Sequence, residues 1–281
     1  MAQQVGNRFA KENLMEMDPM LLRALLRERT HHTIEFKLNL YCKNPATPIP
    51  DTFGETVRRI LDVWEERSLD PDCPDVLWAR KMLGMAEKTQ LREPVVIDGQ
   101  MPRRLHDGEL KLIDELIFTR RSIRNWTEES VPVEMVDDVI RAALWAPHAC
   151  NLQTLRFAVI DCGDDPELFK CLEFEGHQVK IIVMQDMRAY EFYKNSVPER
   201  NRLLDCGAAV ENMLLYAHAL GLGAVWSTFA PNEAELIKTK LELPEYIMPI
   251  TYVALGWSEN AAIPPARIRV EDAVLYRSNM L

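Results

Sequence analysis

Residues 117–161 read IFTRRSIRNWTEESVPVEMVDDVIRAALWAPHACNLQTLRFAVID. Three segments follow one another in this stretch. A basic cluster comes first, Arg120, Arg121, Ser122 and Arg124. Guanidinium forks and a hydroxyl suit one phosphate monoester. The same residues equally suit a solvated patch at a helix end, where cations meet the negative end of the helix dipole. Spacing alone leaves both open. Pro132, placed for a first turn, and the apolar Val133, Val136, Ile140, Ala143 and Leu144 then predict an amphipathic helix. A proline-containing loop, Ala146 to Gln153, leads into an apolar strand, Phe157 to Ile160.

Working outward, two later segments share the character of the first. One is Gly207-Ala208-Ala209-Val210-Glu211-Asn212-Met213-Leu214-Leu215 with Ala217-His218-Ala219-Leu220-Gly221-Leu222-Gly223. The other is Ala254-Leu255-Gly256-Trp257 followed by Pro264-Pro265-Ala266-Arg267. Together with Arg120-Arg121-Ser122-Ile123-Arg124, Val131-Pro132-Val133-Glu134 and the run Ala146 to Phe157, they resemble the nitroreductase-like family of FMN-dependent flavoproteins. No single motif is decisive, but the same order in the same chain is specific. The resemblance spans about residues 112–275.

Composition sets the outer limits. The chain has 281 residues, 47% hydrophobic and 27% charged, which is ordinary for a globular protein. Its formal net charge of −10 repels phosphate backbones, so no nucleic-acid partner is expected. The six cysteines, Cys42, Cys73, Cys150, Cys162, Cys171 and Cys206, form no C-x-x-C pair and no metal-ligand spacing. Reduced, mostly buried thiols in a cytoplasmic protein are the simplest expectation. The first residues lack the pattern of a signal peptide, and no apolar run approaches the roughly 20 residues that span a bilayer. No membrane association is expected.

In chain order, helices are expected from Asp18 to Tyr41, from Asp51 to Arg67 and from Asp75 to Gln90. Residues 91–108, with Pro94, Gly99, Pro102 and Gly108, read as a linker. The expected division is therefore a helical extension and linker over 1–108, and an FMN-binding domain over 109–281. His31, His32 and Glu35 share part of a helix but match no metal motif, so a surface or packing role is expected and no metal. The second part alternates elements. A helix is expected over Asp164 to Glu175, a buried strand over Val179 to Met184, and a helical or lid-like stretch over Arg188 to Arg202. A long apolar helix over Asp205 to Leu220 should follow, then a strand over Ala224 to Phe229, a helix over Asn232 to Leu241 and a strand over Ile250 to Leu255. With the resemblance, this implies an α+β fold in which helices flank a mainly antiparallel sheet.

The resemblance also implies roles. Arg120, Ser122 and Arg267 are expected at the FMN phosphate, with Arg121 either beside it or in a structural ion pair. Arg124 falls where the family places a cation beside flavin N1 and O2, which favours the reduced, negatively charged ring. Pro147, His148, Ala149 and Asn151 match a loop that reaches the flavin from a second subunit, so a homodimer is implied. His148-Ala149 stand where the family has a pair of serines, and Thr154-Leu155 replace Pro-Trp. Ser227 and Thr228 match a segment near flavin N5 or O4, although both are also good strand residues. His218 is expected to be a satisfied core histidine.

The activity implied is hydride transfer from NADH or NADPH through FMN to an electron-poor small molecule. Two alternatives stand beside it. One is a deiodinase-like or flavin-cleaving relative; the short gap between Phe169 and Lys180 leaves little room for a deiodinase lid. The other is a non-enzymatic flavin-binding or interaction protein that uses its extension to recruit a partner.

Overall fold

A computed structural model describes residues 8–44, 46–97, 99–163, 174, 176–229 and 231–278. The helix expected over 164–175 lies, apart from Phe174, outside these residues. Helices fill the first part: α1 Lys11–Glu16, α2 Pro19–Thr30, α3 Phe36–Lys43, α4 Glu55–Glu66 and α5 Pro74–Gln90. Asp18 caps α2 by accepting from the Met20 and Leu21 amides, with Pro19 at the first helical position. A π-helical turn, His31–Glu35, joins α2 to α3. The turn is stabilised locally by side chains, with Thr33 donating to Arg29 O at 2.6 Å and His31 meeting Glu35 at 2.8 Å.

The helix expected from Asp51 starts four residues later, at Glu55. Residues 51–54 form a turn, and Gly54 holds a left-handed φ of 84° that the helix cannot include. A Cβ there would also lie 2.9 Å from Leu83 Cδ1. Leu22, Leu25, Ile34, Val57, Ile60 and Trp64 close a core around these helices. That core does not end with the helical unit. It takes in Leu152, Ala189, Tyr190, Tyr193 and Val197 from far along the chain. The stretch expected to be helical or lid-like is thus a short α8, Arg188–Phe192, followed by turns whose Tyr193 and Val197 are buried.

The described residues among 91–106 are neither helix nor strand, and α6, Asp107–Thr119, follows. A capping box between His106 and Glu109 starts α6, yet none of its residues is buried. The remaining elements are α7 Val133–Leu144, β1 Leu155–Asp161, β2 Val179–Asp186, α9 Asn201–Ala219, β3 Gly223–Ser227, α10 Pro231–Lys240, β4 Ile247–Gly256 and α11 Val270–Ala273. In α7 the buried residues are Val136, Val139 and Ala143. Val133 and Leu144, expected on the inner face, are 65% and 53% exposed because the seam with α9 lies between the two ends of α7.

The four strands form one antiparallel sheet in the order β1-β2-β4-β3. Every residue of β2 is buried, the apolar run Ile181–Met184 as well as Lys180, Gln185 and Asp186. Ile181 and Val183 face α7 and α9, whereas Ile182 and Met184 face Trp126, Ile237 and Ile247. Segment 122–126 then lies against β3. Ser122 bridges Ala224 in parallel, and the Ile123 amide donates to Ala224 O at 3.1 Å. Trp126 Nε1 donates to Gly223 O at 2.8 Å. Gly223 has to be glycine here, since a Cβ would fall 2.8 Å from Ile123 Cγ2. The arginine cluster is thereby fixed to the sheet.

At the far end of β1, His177 Nε2 meets the carboxylate of Asp161. This contact raises the imidazole pKa against a smaller opposing effect of burial. A raised pKa in the folded state gives stability that is complete below the ordinary histidine value of about 6.5 and fades as pH rises through the folded value. His177→Gln should therefore lower the melting temperature in mildly acidic buffer and have a much smaller effect near pH 9, as thermal denaturation at the two pH values will show.

Candidate functional site

A cavity of about 240 Å³ is lined by Arg120, Arg121, Ser122, Arg124, Ala262, Ile263, Pro265 and Arg267. The chain forms it by pressing the segment after α6 against β3 and bringing the tail after β4 across it. Arg121 points its guanidinium back to the helix end, donating to Phe118 O and Arg120 O at 2.8 Å each. It caps α6 rather than forming an ion pair. Arg120, Arg124 and Arg267 meet no carboxylate among the described residues. Other arginines do find acids, for example Arg103 with Glu109, Arg141 with Asp138 and Arg188 with Asp186. In a chain carrying ten more acids than bases, three guanidiniums without a carboxylate, one of them (Arg267) donating to Ala266 O at 3.1 Å, stand at one small cavity beside a hydroxyl, a chemistry suited to an anion.

A wider cleft of about 550 Å³ adjoins it, sharing Arg120, Arg121 and Ala262 and extending over Leu214, His218 and Gly221 to Ala224. His218 is satisfied, its Nε2 lying 2.8 Å from Thr119 Oγ1, but it lines this cleft and does not sit in a core.

Pro147, His148, Ala149 and Asn151 form a second group that does not line the arginine cavity. Ala149–Asn151 is one turn of 3₁₀ helix with left-handed backbone at Cys150 (φ 53°) and Asn151 (φ 54°), and Gln153 follows with φ 49°. The buried Asp205, at the start of α9, holds the turn from beneath. It accepts from the Ala149 amide at 3.0 Å and from the Tyr190 hydroxyl at 2.5 Å. Burial, then the charge of Asp205, pushes the Tyr190 phenol far above its usual range. The His148 side chain is buried, with Nδ1 3.7 Å from Asp205 Oδ2 and no hydrogen-bond partner for that atom. Burial first, and then Glu28 and Asp205, pushes the Cys150 thiol up, so this cysteine is packing rather than nucleophile. Cys206 is pushed up to about 12 by burial and Asp205.

Ser227 ends β3 and Thr228 follows it, and both lie outside the cavity lining. The Ser227 carbonyl accepts from Thr251 Oγ1, which in turn accepts from Trp226 Nε1 at 2.6 Å. The structure thus gathers Arg120, Arg121, Ser122, Arg124 and Arg267, and leaves the loop and the strand end apart from them within one chain. Asp205, Tyr190 and Arg27, which organise the loop, were not evident from the sequence. For Asp205 the signal available was a charged residue on an apolar helical face, four residues before Ala209; Arg27 does not share the face of Leu22, Leu25 and Leu26 and gave no such signal.

The structure is an antiparallel four-stranded sheet between helices, with an arginine-lined cavity beside β3. The sequence model of the Nitroreductase family matches residues 117–167 and 165–257, and the chain belongs to that family. A relative from Methanothermobacter thermautotrophicus, provisionally named NADH dehydrogenase/NAD(P)H nitroreductase, is 32% identical over 174 residues. The match covers 59% of this chain and 91% of the relative. An FMN reductase [NAD(P)H] of Bacillus subtilis is 28% identical, over 57% of this chain and 71% of its own. Among solved structures, a provisionally named nitroreductase of Desulfovibrio desulfuricans in complex with FMN superposes with a TM-score of 0.52. It is 33% identical, covering 59% of this chain and 96% of that one. The family match begins at residue 117, so the first helices lie outside it.

Proposed function

We propose that this protein is an FMN-dependent oxidoreductase that uses NADH or NADPH to reduce an electron-poor small molecule. The observation that carries this is the cluster of Arg120, Arg124 and Arg267, which meet no carboxylate among the described residues, around one small cavity in a chain of the nitroreductase family. The cluster fits a monophosphate, and the relatives named above include an FMN complex and an FMN reductase. Bound FMN supplies the two-electron chemistry, taking a hydride from the nicotinamide and passing it to the acceptor. In this assignment Arg120, Ser122 and Arg267 hold the phosphate and Arg124 lies along the ring. Asn151 with Pro147, His148 and Ala149 completes the site from a second copy, and Ser227 and Thr228 border it.

Two features support a homodimer. The loop 147–151 does not line its own chain's arginine cavity, so it is available to a neighbour's. Large apolar side chains also lie open on the elements beside that cavity: Leu112 and Phe118 on α6, Leu204 on α9, and Ile263, Leu275 and Tyr276 on the tail. Such continuous exposure marks an association surface. Among the described residues no helix is long and apolar enough to cross a membrane. Cys42, Cys73, Cys150 and Cys206 are free thiols, which fits a reducing compartment such as the cytoplasm.

Four outcomes are expected. Purified protein should release FMN, not FAD, on denaturation. Arg120→Ala or Arg267→Ala should weaken FMN on the order of ten- to a hundredfold, since a charge-assisted contact is worth roughly 1.5–3 kcal/mol. Titration by flavin fluorescence measures this, and unchanged affinity in both variants would overturn the phosphate assignment. Arg124→Ala should lower the reduction potential of the bound flavin by some tens of millivolts, at about 30 mV per 1.4 kcal/mol for two electrons. Spectroelectrochemistry at full occupancy is the measurement, and an unchanged midpoint removes Arg124 from the ring. Light scattering should give a mass near twice 32.4 kDa for the flavin-loaded protein; a loaded monomer would contradict the shared site.

A further inference from the structure

The turn that carries Asn151 is built against the preferences of its own backbone. Cys150, Asn151 and Gln153 all hold positive φ, at 53°, 54° and 49°, and none is glycine. L-residues avoid this region, and it persists only where the surroundings over-determine it. Asp205 accounts for one anchor, at the Ala149 amide. The other lies at Leu152, between the two left-handed steps. It comes from the helical unit, outside the part of the chain that matches the family. Arg27 on α2 donates from Nη2 to Leu152 O at 2.7 Å and from Nη1 to Asp75 Oδ2 at 2.6 Å. Asp75 on α5 is held in turn by Arg23 Nε at 2.8 Å. The Arg27 and Asp75 side chains are only 6% and 7% exposed. The Leu152 side chain is fully buried in the core of the helical unit. Burial lowers the Arg27 pKa to about 10, which still leaves the guanidinium charged at neutral pH.

We propose that Arg27, braced by Asp75, is a positioning residue for the cofactor loop: it grips the Leu152 carbonyl and so fixes the left-handed run that presents Asn151 to the flavin. The helical unit is then a working part of the site, although no family motif lies in it. This rests on the assignment of the 147–151 loop as a flavin contact. The experiment keeps the two apart by reading the loop itself in flavin-free protein and flavin binding separately.

Arg27→Met removes the grip but strands Asp75 beside Arg23 alone. The double variant Arg27→Met/Asp75→Leu removes the buried pair together, which is often close to neutral for stability. In full-length, flavin-free protein, amide hydrogen exchange over residues 147–153 should speed up at least tenfold in the double variant, while exchange in β2 stays as in the parent. FMN titration should show affinity at least tenfold weaker, with a changed visible circular dichroism spectrum of the flavin that remains bound. Asn151→Ala serves as the reference. If Asn151→Ala weakens FMN while the double variant exchanges and binds as the parent does, the clamp is wrong and the loop assignment stands. If the double variant loosens the loop but neither it nor Asn151→Ala alters FMN binding, the loop is not a flavin contact, and the proposal falls with that assignment. Arg27→Lys, which keeps a charge for Asp75 but cannot bridge to both partners with a planar fork, should recover stability without recovering FMN affinity. Full recovery of affinity would also overturn the clamp.

Discussion

Three guanidiniums kept away from carboxylates are the constraint on which the site depends. Arg141 and Arg188 find acids, whereas Arg120, Arg124 and Arg267 meet none among the described residues. The backbone around the first two is anchored. Ser122 and Ile123 pair with β3, Trp126 locks onto the Gly223 carbonyl, and the tail after β4 crosses in front. The two central strands, with apolar residues on both faces of the sheet, supply the rigidity behind that arrangement. The chain that carries Arg120 and Arg124 is thereby fixed to the sheet.

Much of this was legible because the informative residues are neighbours in sequence. The donors Arg120, Arg121, Ser122 and Arg124 are contiguous, and β2 declares itself by eight consecutive buried residues. What was not legible depends on distance along the chain. Arg27 and Leu152 are 125 residues apart, and Ala149 and Asp205 are 56 apart. An arginine in a helix reads as a solvated charge until its partner is known. Local geometry misled as well. Asp51 is a good helix cap by composition, but the left-handed Gly54 decides where α4 begins. Val133 and Leu144 have helical spacing, but they sit at the ends of α7, beyond its contact with α9.

The shared core of the helical unit and the second part changes how the chain divides. Leu152, Tyr190 and Tyr193 are packed with Leu22, Leu25 and Ile34, and Glu28 accepts from the Tyr193 hydroxyl at 2.5 Å. Removing the first helices would therefore expose apolar surface directly behind the loop that holds Asn151. The extension is attached by a buried interface and not only by the stretch 91–106.

Helix α6 has thirteen residues, none of them buried. A helix of that length is marginal in water without packing. Should a second copy supply its partner surface, α6 would be ordered only as part of an assembly, and the free energy of folding would contain a mass-action term. The protein would then be less stable when dilute, and its working stability would be set in part by how much of it is made.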